Sequence, residues 1–454
     1  MSFLRLPPAP RLFLLTLLGL MLAVPASAQQ RITFNEAVRV ALEQNILLQQ
    51  TERQVAQQAV QVDRARSAYL PSLSLNTNGG TNFGRQFNTE LDPPAIVNQT
   101  TTGFRSSVSA NYTVFDGFGR SASLEEARTR LEARDLDFDR RKQDVVFGVM
   151  SDYLLLIQRG EQVRIQQENL EAQRQLLAQI EAFVEVGSRP VSDLFQQQAL
   201  VASAELEVLN AQRQAQFSEA ALIQRLQLDP FDEYEFVAPN IEEMDLQGET
   251  YQVSTMLERA YGQRADLEAR ELDIRAAEQG IRAARSGFWP TISASASYSS
   301  RYTDASSLSF ADQFGDFNRQ GDFGLNLNVP IFDRFNTRNN IQAARVQFEQ
   351  ARLELDGARQ DIAVQVRQAY LDYLTAEKEV EVTEVQVRAA NQALEAAQER
   401  YNVGANTLVE LSDAQAQAVS AASSRVQARY SFLFQKRLID YYLGSLDPNA
   451  PLFR

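Results

Sequence analysis

The chain contains no cysteine and no histidine, and these two absences exclude several classes of protein. Without cysteine there is no disulfide framework, no thiolate metal site and no thiol chemistry. Without histidine the commonest general base and metal ligand is missing. An active site would have to use carboxylates, lysine, tyrosine or serine alone. An enzyme is therefore the weakest interpretation, and neither a metal nor another cofactor is expected.

Long hydrophobic runs are also missing from the body of the chain, which excludes a helical membrane protein and leaves a transmembrane β-barrel open. The one apolar run, Leu12 to Val24, follows Arg5 and Arg11 and precedes the small residues at 26–28. It falls short of the roughly 20 residues that a membrane anchor needs. We therefore predict a cleaved signal peptide over residues 1–28 rather than an anchor.

Positive charge is in deficit, with 44 Lys and Arg against 58 Asp and Glu and a formal net charge of −14. Removing the predicted signal peptide takes away two arginines and no acid, which brings the net charge to −16. A chain this acidic is not expected to bind nucleic acid.

A duplicated stretch organises the rest of the sequence. ARSAYLPSLS (65–74) returns as ARSGFWPTIS (284–293), and in each copy a helical apolar period ends at the proline and alternation begins. Proline removes a backbone donor and disfavours helix in the residue before it. The two copies align at an offset of 219 before the alternating segments and 217 after them. The sequence therefore predicts an internal repeat of one supersecondary unit.

Each repeat is predicted to contain a helix, two strands, a long helix and a shorter helix. The first repeat (29–228) has a helix over 32–68 capped by Thr33 or Asn35, strands at about 72–84 and 103–115 joined by a long polar loop, and helices over 120–186 and 191–226. An acidic connector follows at 229–250. The second repeat (251–445) has a helix, strands at about 291–302 and 322–332, and helices over 335–403 and 407–443, and a tail occupies 446–454.

The longest predicted helices would each measure on the order of 100 Å at ~1.5 Å per residue. Apolar residues recur along them at steps of seven, which is typical of helices packed in a coiled coil. The residues are Val149, Leu156, Val163, Leu170, Leu177 and Val184 in the first repeat, and Val366, Tyr373, Val380, Val387, Leu394 and Tyr401 in the second.

Four strands cannot close a barrel, and open sheet edges in a membrane leave unpaired backbone groups. Three protomers would supply twelve strands, enough to surround an open lumen. Aromatic residues at the strand ends are typical of the membrane interface. They are Tyr69, Phe288, Trp289, Phe115 and Phe332. The alternative is that these aromatics fill a soluble junction between helices and sheet.

The segment YNVGANTLVELSDAQ (401–415), together with the signal peptide, the Pro-initiated strands and the repeated Phe-Asp pair, resembles the TolC family of outer-membrane efflux proteins. The resemblance covers nearly the whole mature chain. It implies an α+β membrane protein: a homotrimer with a twelve-stranded β-barrel in the outer membrane lipid, continued by a long α-helical coiled-coil tunnel across the periplasm. It also implies an export duct that docks onto a periplasmic adaptor and an inner-membrane pump.

Glu410 and Asp413 lie three residues apart on a predicted helix, so both face one way. Three copies would form an acidic ring of the kind that selects cations, while the alternative is a solvated helix face. The resemblance implies the ring, because the matching positions form the periplasmic constriction of TolC-like proteins. It also places Tyr401 and Asp193 at gate positions that link the two helical hairpins.

The two hairpin tips are chemically unequal. The repeat partner of Glu410 is Asp193, another acid, whereas the repeat partner of Asp413 is the neutral Gln196. Some family members carry an arginine where this chain has Asn406. Its repeat partner, Arg189, is a possible substitute for that charge. The competing interpretation of the whole chain is a soluble periplasmic coiled-coil scaffold or adaptor, which does not explain the alternating strands.

Overall fold

The computed structural model of the protein describes residues 30–88, 93–238 and 248–446. The predicted signal peptide lies outside the described residues, as does the predicted tail except for Leu446. Within these residues, none of the helices combines the length and the hydropathy of a transmembrane span.

The two halves of the chain contain a similar succession of elements. The first half contains β1 (Gln30–Ile32), α1 (Phe34–Gln44), α2 (Ile46–Ser67), β2 (Ser72–Asn88), β3 (Ala95–Phe115), α3 (Gly119–Glu185), α4 (Val191–Leu226) and β4 (Tyr234–Phe236). The second half contains α5 (Val253–Gln263), α6 (Ala265–Arg285), β5 (Thr291–Thr303), α7 (Phe310–Asp312), β6 (Gln320–Asn328), α8 (Asn336–Asn402) and α9 (Leu408–Leu443).

The single helix predicted over 32–68 is wrong, because the chain breaks it at Asn45. This residue adopts an extended ψ of 118°, and its side chain accepts a hydrogen bond from the Leu48 amide at 3.1 Å. Asparagine competes with the helix by bonding nearby backbone groups, so it ends α1 and caps α2. Thr33 caps α1 in the same way. Arg264 separates α5 from α6 at the corresponding place in the second half.

The four long strands form one antiparallel sheet in the order β2-β3-β5-β6. Here β2 and β3 extend to Asn88 and Ala95, so most of the polar segment predicted as a long loop is paired strand. Its glycines and asparagines have low strand propensity, but pairing with the neighbouring strand overrides that preference. The hydroxyls of Thr81 and Thr102 make a cross-strand contact at 3.1 Å where this extension begins.

The last strand is shorter than predicted, since β6 ends at Asn328 and not near 332. Val329 and Ile331 fall within the predicted strand but lie beyond the end of β6. Pro330 has no backbone N–H to donate to a ladder, so pairing stops before it.

Alternation gives the sheet one apolar and one polar face. The apolar face carries Leu73, Leu75, Val108, Ala110, Tyr112, Ile292, Ala294, Ala296, Phe323, Leu325 and Leu327. The polar face carries Ser72, Ser74, Asn76, Asn78, Ser107, Ser109, Asn111, Ser293, Ser295, Ser297, Asn326 and Asn328. Within the described residues, no long helix packs along this face, and Leu73 and Phe323 are 74% and 76% exposed.

The long helices α3 and α8 contain 67 residues each and run from the sheet to the far end of the molecule. Both begin at the repeated Phe-Asp pair. Asp116 accepts a hydrogen bond from the Arg120 amide at 2.9 Å, and Asp333 accepts one from the Thr337 amide at 2.7 Å. Each aspartate therefore satisfies a free N–H of the first helical turn.

The helices are paired as two hairpins, each of which has a shorter helix of 36 residues. In the first hairpin α3 packs against α4, and in the second α8 packs against α9. Nearer the sheet, α2 and α6 pack against α3, and α6 also packs against α8.

Two apolar cores lie midway along the helices, and a buried tyrosine ties the neighbouring loop to each. In the first core the Tyr153 hydroxyl donates to the carbonyls of Ile32 and Val237, at 3.1 and 2.7 Å. In the second core the Tyr373 hydroxyl accepts from the Glu249 amide at 2.6 Å. The connector is thereby fastened to both long helices, and its β4 pairs in parallel with β1.

Candidate functional site

The two hairpins turn at the end of the molecule furthest from the sheet. Gly187 and Gly404 follow the long helices with φ of 70° and 77°, a conformation that glycine adopts without steric cost. The next amide in each turn bonds back to a carbonyl five residues earlier, from Ser188 to Phe183 at 2.9 Å and from Ala405 to Arg400 at 2.8 Å. These are Schellman motifs, and they set both turns in the same geometry.

Arg189, just past the first of these turns, connects the two hairpins. Its guanidinium donates a hydrogen bond to the backbone carbonyl of Tyr401 and lies 4.2 Å from the centroid of that ring. The carbonyl belongs to the last turn of α8, where unsatisfied acceptors and the helix dipole favour a cation. Arg189 of the first hairpin therefore caps a helix of the second.

Tyr401 is fully buried, with 0% of its surface exposed, and its hydroxyl has no hydrogen-bond partner among the described residues. Burial raises the pKa of Tyr401. The negative charge of Asp193 raises the pKa further, whereas the positive charge of Arg189 lowers it. The structure thus brings Tyr401 and Asp193 into the same electrostatic environment without a hydrogen bond between them.

Apolar and amide contacts complete the junction between the hairpins. Leu176 and Ile180 of α3 belong to one buried cluster with Ala397 and Tyr401 of α8 and with Leu408 and Leu411 of α9. The Gln179 amide donates to the Asn402 side chain at 3.1 Å.

Asn406 is buried in the second turn, and its side-chain nitrogen has no partner among the described residues. In this chain, a charged contact between the hairpin tips comes from Arg189 rather than from position 406.

Glu410 and Asp413 lie in the first turns of α9 and are both exposed. The Glu410 backbone amide donates to the Thr407 side chain at 3.3 Å, which caps the helix and sets its start. Neither carboxylate has an ion pair within 4.0 Å among the described residues. They are therefore available to act on mobile ions rather than to stabilise the fold.

The predicted interface aromatics lie where the strands meet the helices. Phe288, Trp289 and Phe332 are exposed, and Tyr69 lies at the border of exposure with the Arg120 guanidinium 4.9 Å from its ring centroid. Phe115 is half-buried. Together they form one aromatic band at the end of the strands next to the helices.

A second aromatic cluster, which was not predicted from the sequence, lies at the opposite end of the strands, far from the helices. Phe104 of β3 and Tyr302 of β5 are paired across the strands on the apolar face. Phe310 and Phe314 from the β5–β6 connection pack on them, with ring centroids 5.1 to 6.2 Å apart. Phe104 and Tyr302 stand at the outer ends of the two alternating segments, and this position is a sequence signal for an aromatic cluster. No sequence signal places Phe310 and Phe314 there, because both lie in an apparent loop.

No group of three or more acidic side chains within residues 30–88, 93–238 and 248–446 is arranged to hold a metal ion. The geometry of the tip is that of a contact between two helical hairpins bordered by free carboxylates.

Comparison with known proteins gives consistent results. A family profile described as outer membrane efflux protein matches residues 37–226 and 256–445. Protein CyaE of Bordetella pertussis is 25% identical over 402 residues, covering 88% of this chain and 82% of CyaE. TolC of Escherichia coli is 22% identical over 392 residues, covering 85% and 77%. The solved structure of CusC superposes with a TM-score of 0.79 at 18% identity, covering 90% and 92% of the two chains.

Proposed function

Because the chain belongs to the outer membrane efflux protein family, we propose that it is the outer-membrane channel of a tripartite efflux or type I secretion system. The family is one of transport proteins, not enzymes, and it places the chain in the outer membrane with its helices in the periplasm. One observation carries the proposal. The sheet has an exposed apolar face and a polar face, and it continues into helices on the order of 100 Å long.

The channel is a homotrimer in this proposal. Both edge strands, β2 and β6, lack a partner on their outer side in the described sheet. A membrane cannot satisfy those backbone groups, so the edges pair with other copies of the chain. Three copies supply twelve strands, with the apolar face towards lipid and the polar face lining the lumen. The helical hairpins of the three copies form the tunnel.

The uncovered apolar face also argues against a soluble periplasmic scaffold. Leu73, Leu75, Phe323, Leu325 and Leu327 are each more than half exposed on one side of one sheet. A soluble protein rarely exposes a contiguous apolar surface of this kind. Lipid is the environment that such a face requires.

The contact of Arg189 with Tyr401 is proposed as the closure of the tunnel entrance. Beside this hydrogen bond and cation–π contact, the Gln179–Asn402 hydrogen bond and a small apolar cluster join the tips, so separating the tips breaks few contacts. A periplasmic adaptor and an inner-membrane pump are the proposed partners. An adaptor that binds the separated arrangement more tightly shifts the population towards the open channel.

The acidic ring is proposed as the ion filter at this entrance. Glu410 and Asp413 from three protomers supply six carboxylates near the axis, and such rings favour cations. The exposure of both side chains and their lack of ion pairs support this role, since a carboxylate held in a salt bridge would act less on passing ions.

Conductance across planar bilayers tests the proposed function. The purified protein is expected to form discrete channels, with a reversal potential in a KCl gradient that shows preference for K⁺. In the Glu410→Gln/Asp413→Asn double variant the preference for K⁺ should fall about twofold or more, because the ring loses its charge. Asp63→Asn, an exposed acid on α2, is the matched control and should leave selectivity unchanged. Failure of the purified trimer to conduct at all would contradict the proposal.

A further inference from the structure

Charge is almost absent from the polar face of the sheet. Among the described strand residues of this face, the charged ones are Arg105, Arg301 and Asp322. The remainder are mostly serine, asparagine and threonine. Each charge on this face is therefore a conspicuous feature of an otherwise neutral surface.

Arg105 and Arg301 are direct cross-strand partners, one on β3 and the other on β5. Like charges directly opposite each other destabilise a sheet, because their Cβ atoms lie only ~5 Å apart. Folding therefore gives no reason to place two arginines here. The partner of Arg105 on its other side is the neutral Asn78.

No carboxylate in the described part of the chain neutralises this pair. Neither guanidinium has an ion pair or hydrogen bond among the described residues, and both side chains are exposed. Asp322 pairs across the strands with Ser297, four residues along β5 from Arg301, and it accepts hydrogen bonds from Ser297 and Gln320. The positive charge of the pair is therefore open to a mobile anion.

The height of the pair within the sheet follows from residue counts. Arg105 is ten residues from the end of β3 at Phe115, and Arg301 is ten from the start of β5 at Thr291. Ten residues span ~33 Å of strand. At a tilt of ~40° this is ~25 Å along the barrel axis, the height of the apolar band. The neighbours on the opposite face, Phe104 and Tyr302, begin the second aromatic cluster.

We propose that Arg105 and Arg301 of three protomers form a basic ring at the outer end of the lumen that binds anionic groups, such as carboxylates or phosphates, of molecules in transit. This inference rests on the proposed channel function and adds a site to it. Guanidinium groups recognise such oxyanions with paired hydrogen bonds, and arginine rings favour anions in pores. The channel would thus carry opposite charges at its two ends.

One-sided block by a multivalent anion tests the ring. The helical part is too long to pass through a bilayer, so it stays on the side of protein addition and the barrel mouth faces the other compartment. Pyrophosphate added on the barrel side should reduce the wild-type current. In Arg105→Gln/Arg301→Gln the concentration for half-maximal block should rise about tenfold, because the charge-assisted hydrogen bonds are lost. Citrate, used in parallel, separates a carboxylate preference from a phosphate preference.

Two controls distinguish the ring from general effects. Arg85→Gln removes the same charge from the opposite face of the β2–β3 hairpin and should leave block at the wild-type value. Arg105→Lys/Arg301→Lys retains the charge and should restore most of the block. An Arg105→Gln/Arg301→Gln channel that conducts normally but is blocked like wild type would overturn the ring alone. Absence of any conducting channel would instead overturn the proposed function.

Discussion

Tyr401 is buried without a partner for its hydroxyl, although it lies at a turn on the outer end of a helical hairpin. Its ring makes a cation–π contact with the Arg189 guanidinium, and its backbone carbonyl accepts a hydrogen bond from the same group. The hydroxyl therefore adds nothing to the contact through hydrogen bonding within the protomer. Its contribution appears only when the phenol ionises.

Alkaline pH is expected to open the tip through Tyr401. Burial raises the pKa of this phenol, so the closed arrangement holds the proton more tightly than an open, solvated one. The resulting stabilisation is complete below the ordinary pKa of about 10 and is lost as pH rises through the raised pKa. Single-channel conductance should increase in that range.

The Tyr401→Phe variant should lack this alkaline increase, because it has no group to ionise. Tyr261→Phe on α5, whose hydroxyl donates to the Arg359 carbonyl at 3.0 Å, is the matched control and should behave as wild type. An identical pH profile in Tyr401→Phe and wild type would show that another group causes the increase.

At the scale of elements, the two hairpins have equal lengths but unequal tips. Helices α3 and α8 match in length, as do α4 and α9, and both turns use a left-handed glycine. Yet the first turn carries the exposed Pro190 and the half-buried Arg189, whereas the second carries the buried Asn406. Two turns of the same backbone geometry thus have different roles: the first supplies the arginine of the contact, and the second hairpin supplies the carbonyl and the ring that it contacts.

Removing the Arg189 side chain is expected to loosen the tip. A charge-assisted hydrogen bond together with a cation–π contact contributes about 1–2 kcal/mol at a partly exposed site. Loss of that amount shifts the ratio of open to closed forms roughly five- to thirtyfold. Arg189→Ala should therefore raise the mean single-channel conductance.

Arg174→Ala provides the comparison for this variant. Arg174 pairs with Glu205 at 2.7 Å within the first hairpin, so its loss removes an arginine contact without unlinking the hairpins. If both variants conduct like wild type, Arg189 does not close the tunnel.

Some elements were predictable from the sequence and others were not. The long helices lie within a residue of their predicted limits, because prolines, glycines and the Phe-Asp pairs mark their ends locally. The break at Asn45 was missed because an asparagine in a helical pattern can either continue the helix or cap a new one, and the sequence does not distinguish the two. The outer parts of β2 and β3 were missed because their sequence is rich in residues of low strand propensity, and they are strands only because each pairs with the other.

At the scale of the whole molecule, an exposed apolar stripe on α4 indicates a surface between protomers. Its members are spaced at helical intervals on one face. They are Phe195, Leu206, Leu209 and Phe217. A solvated helix rarely carries such a stripe, and the proposed trimer supplies neighbouring copies of the chain. We propose that a neighbouring protomer covers it.

Charges placed in this stripe are expected to dissociate the trimer. Burial of a leucine side chain stabilises an interface by about 1.5–3 kcal/mol, and a buried unpaired carboxylate costs more. Leu206→Asp/Leu209→Asp should therefore shift the detergent-solubilised protein from three chains towards one in size-exclusion chromatography with light scattering. Phe231→Asp, at a 94% exposed site in the connector, should remain trimeric. A stable trimer in the double variant would place the stripe outside the interface.

The sequence by itself determined the long helices, the existence of the four sheet strands and the order in which they follow one another. Period, proline position and the repeat are local signals, and they suffice to specify two long helical hairpins and four alternating strands. Only the tertiary structure decided which residues meet. Arg189 caps α8 and contacts Tyr401, 212 positions away. Arg105 opposes Arg301 because β3 pairs with β5 in one register out of several that would keep the faces intact. Contacts between distant segments depend on packing and register, which no local pattern encodes.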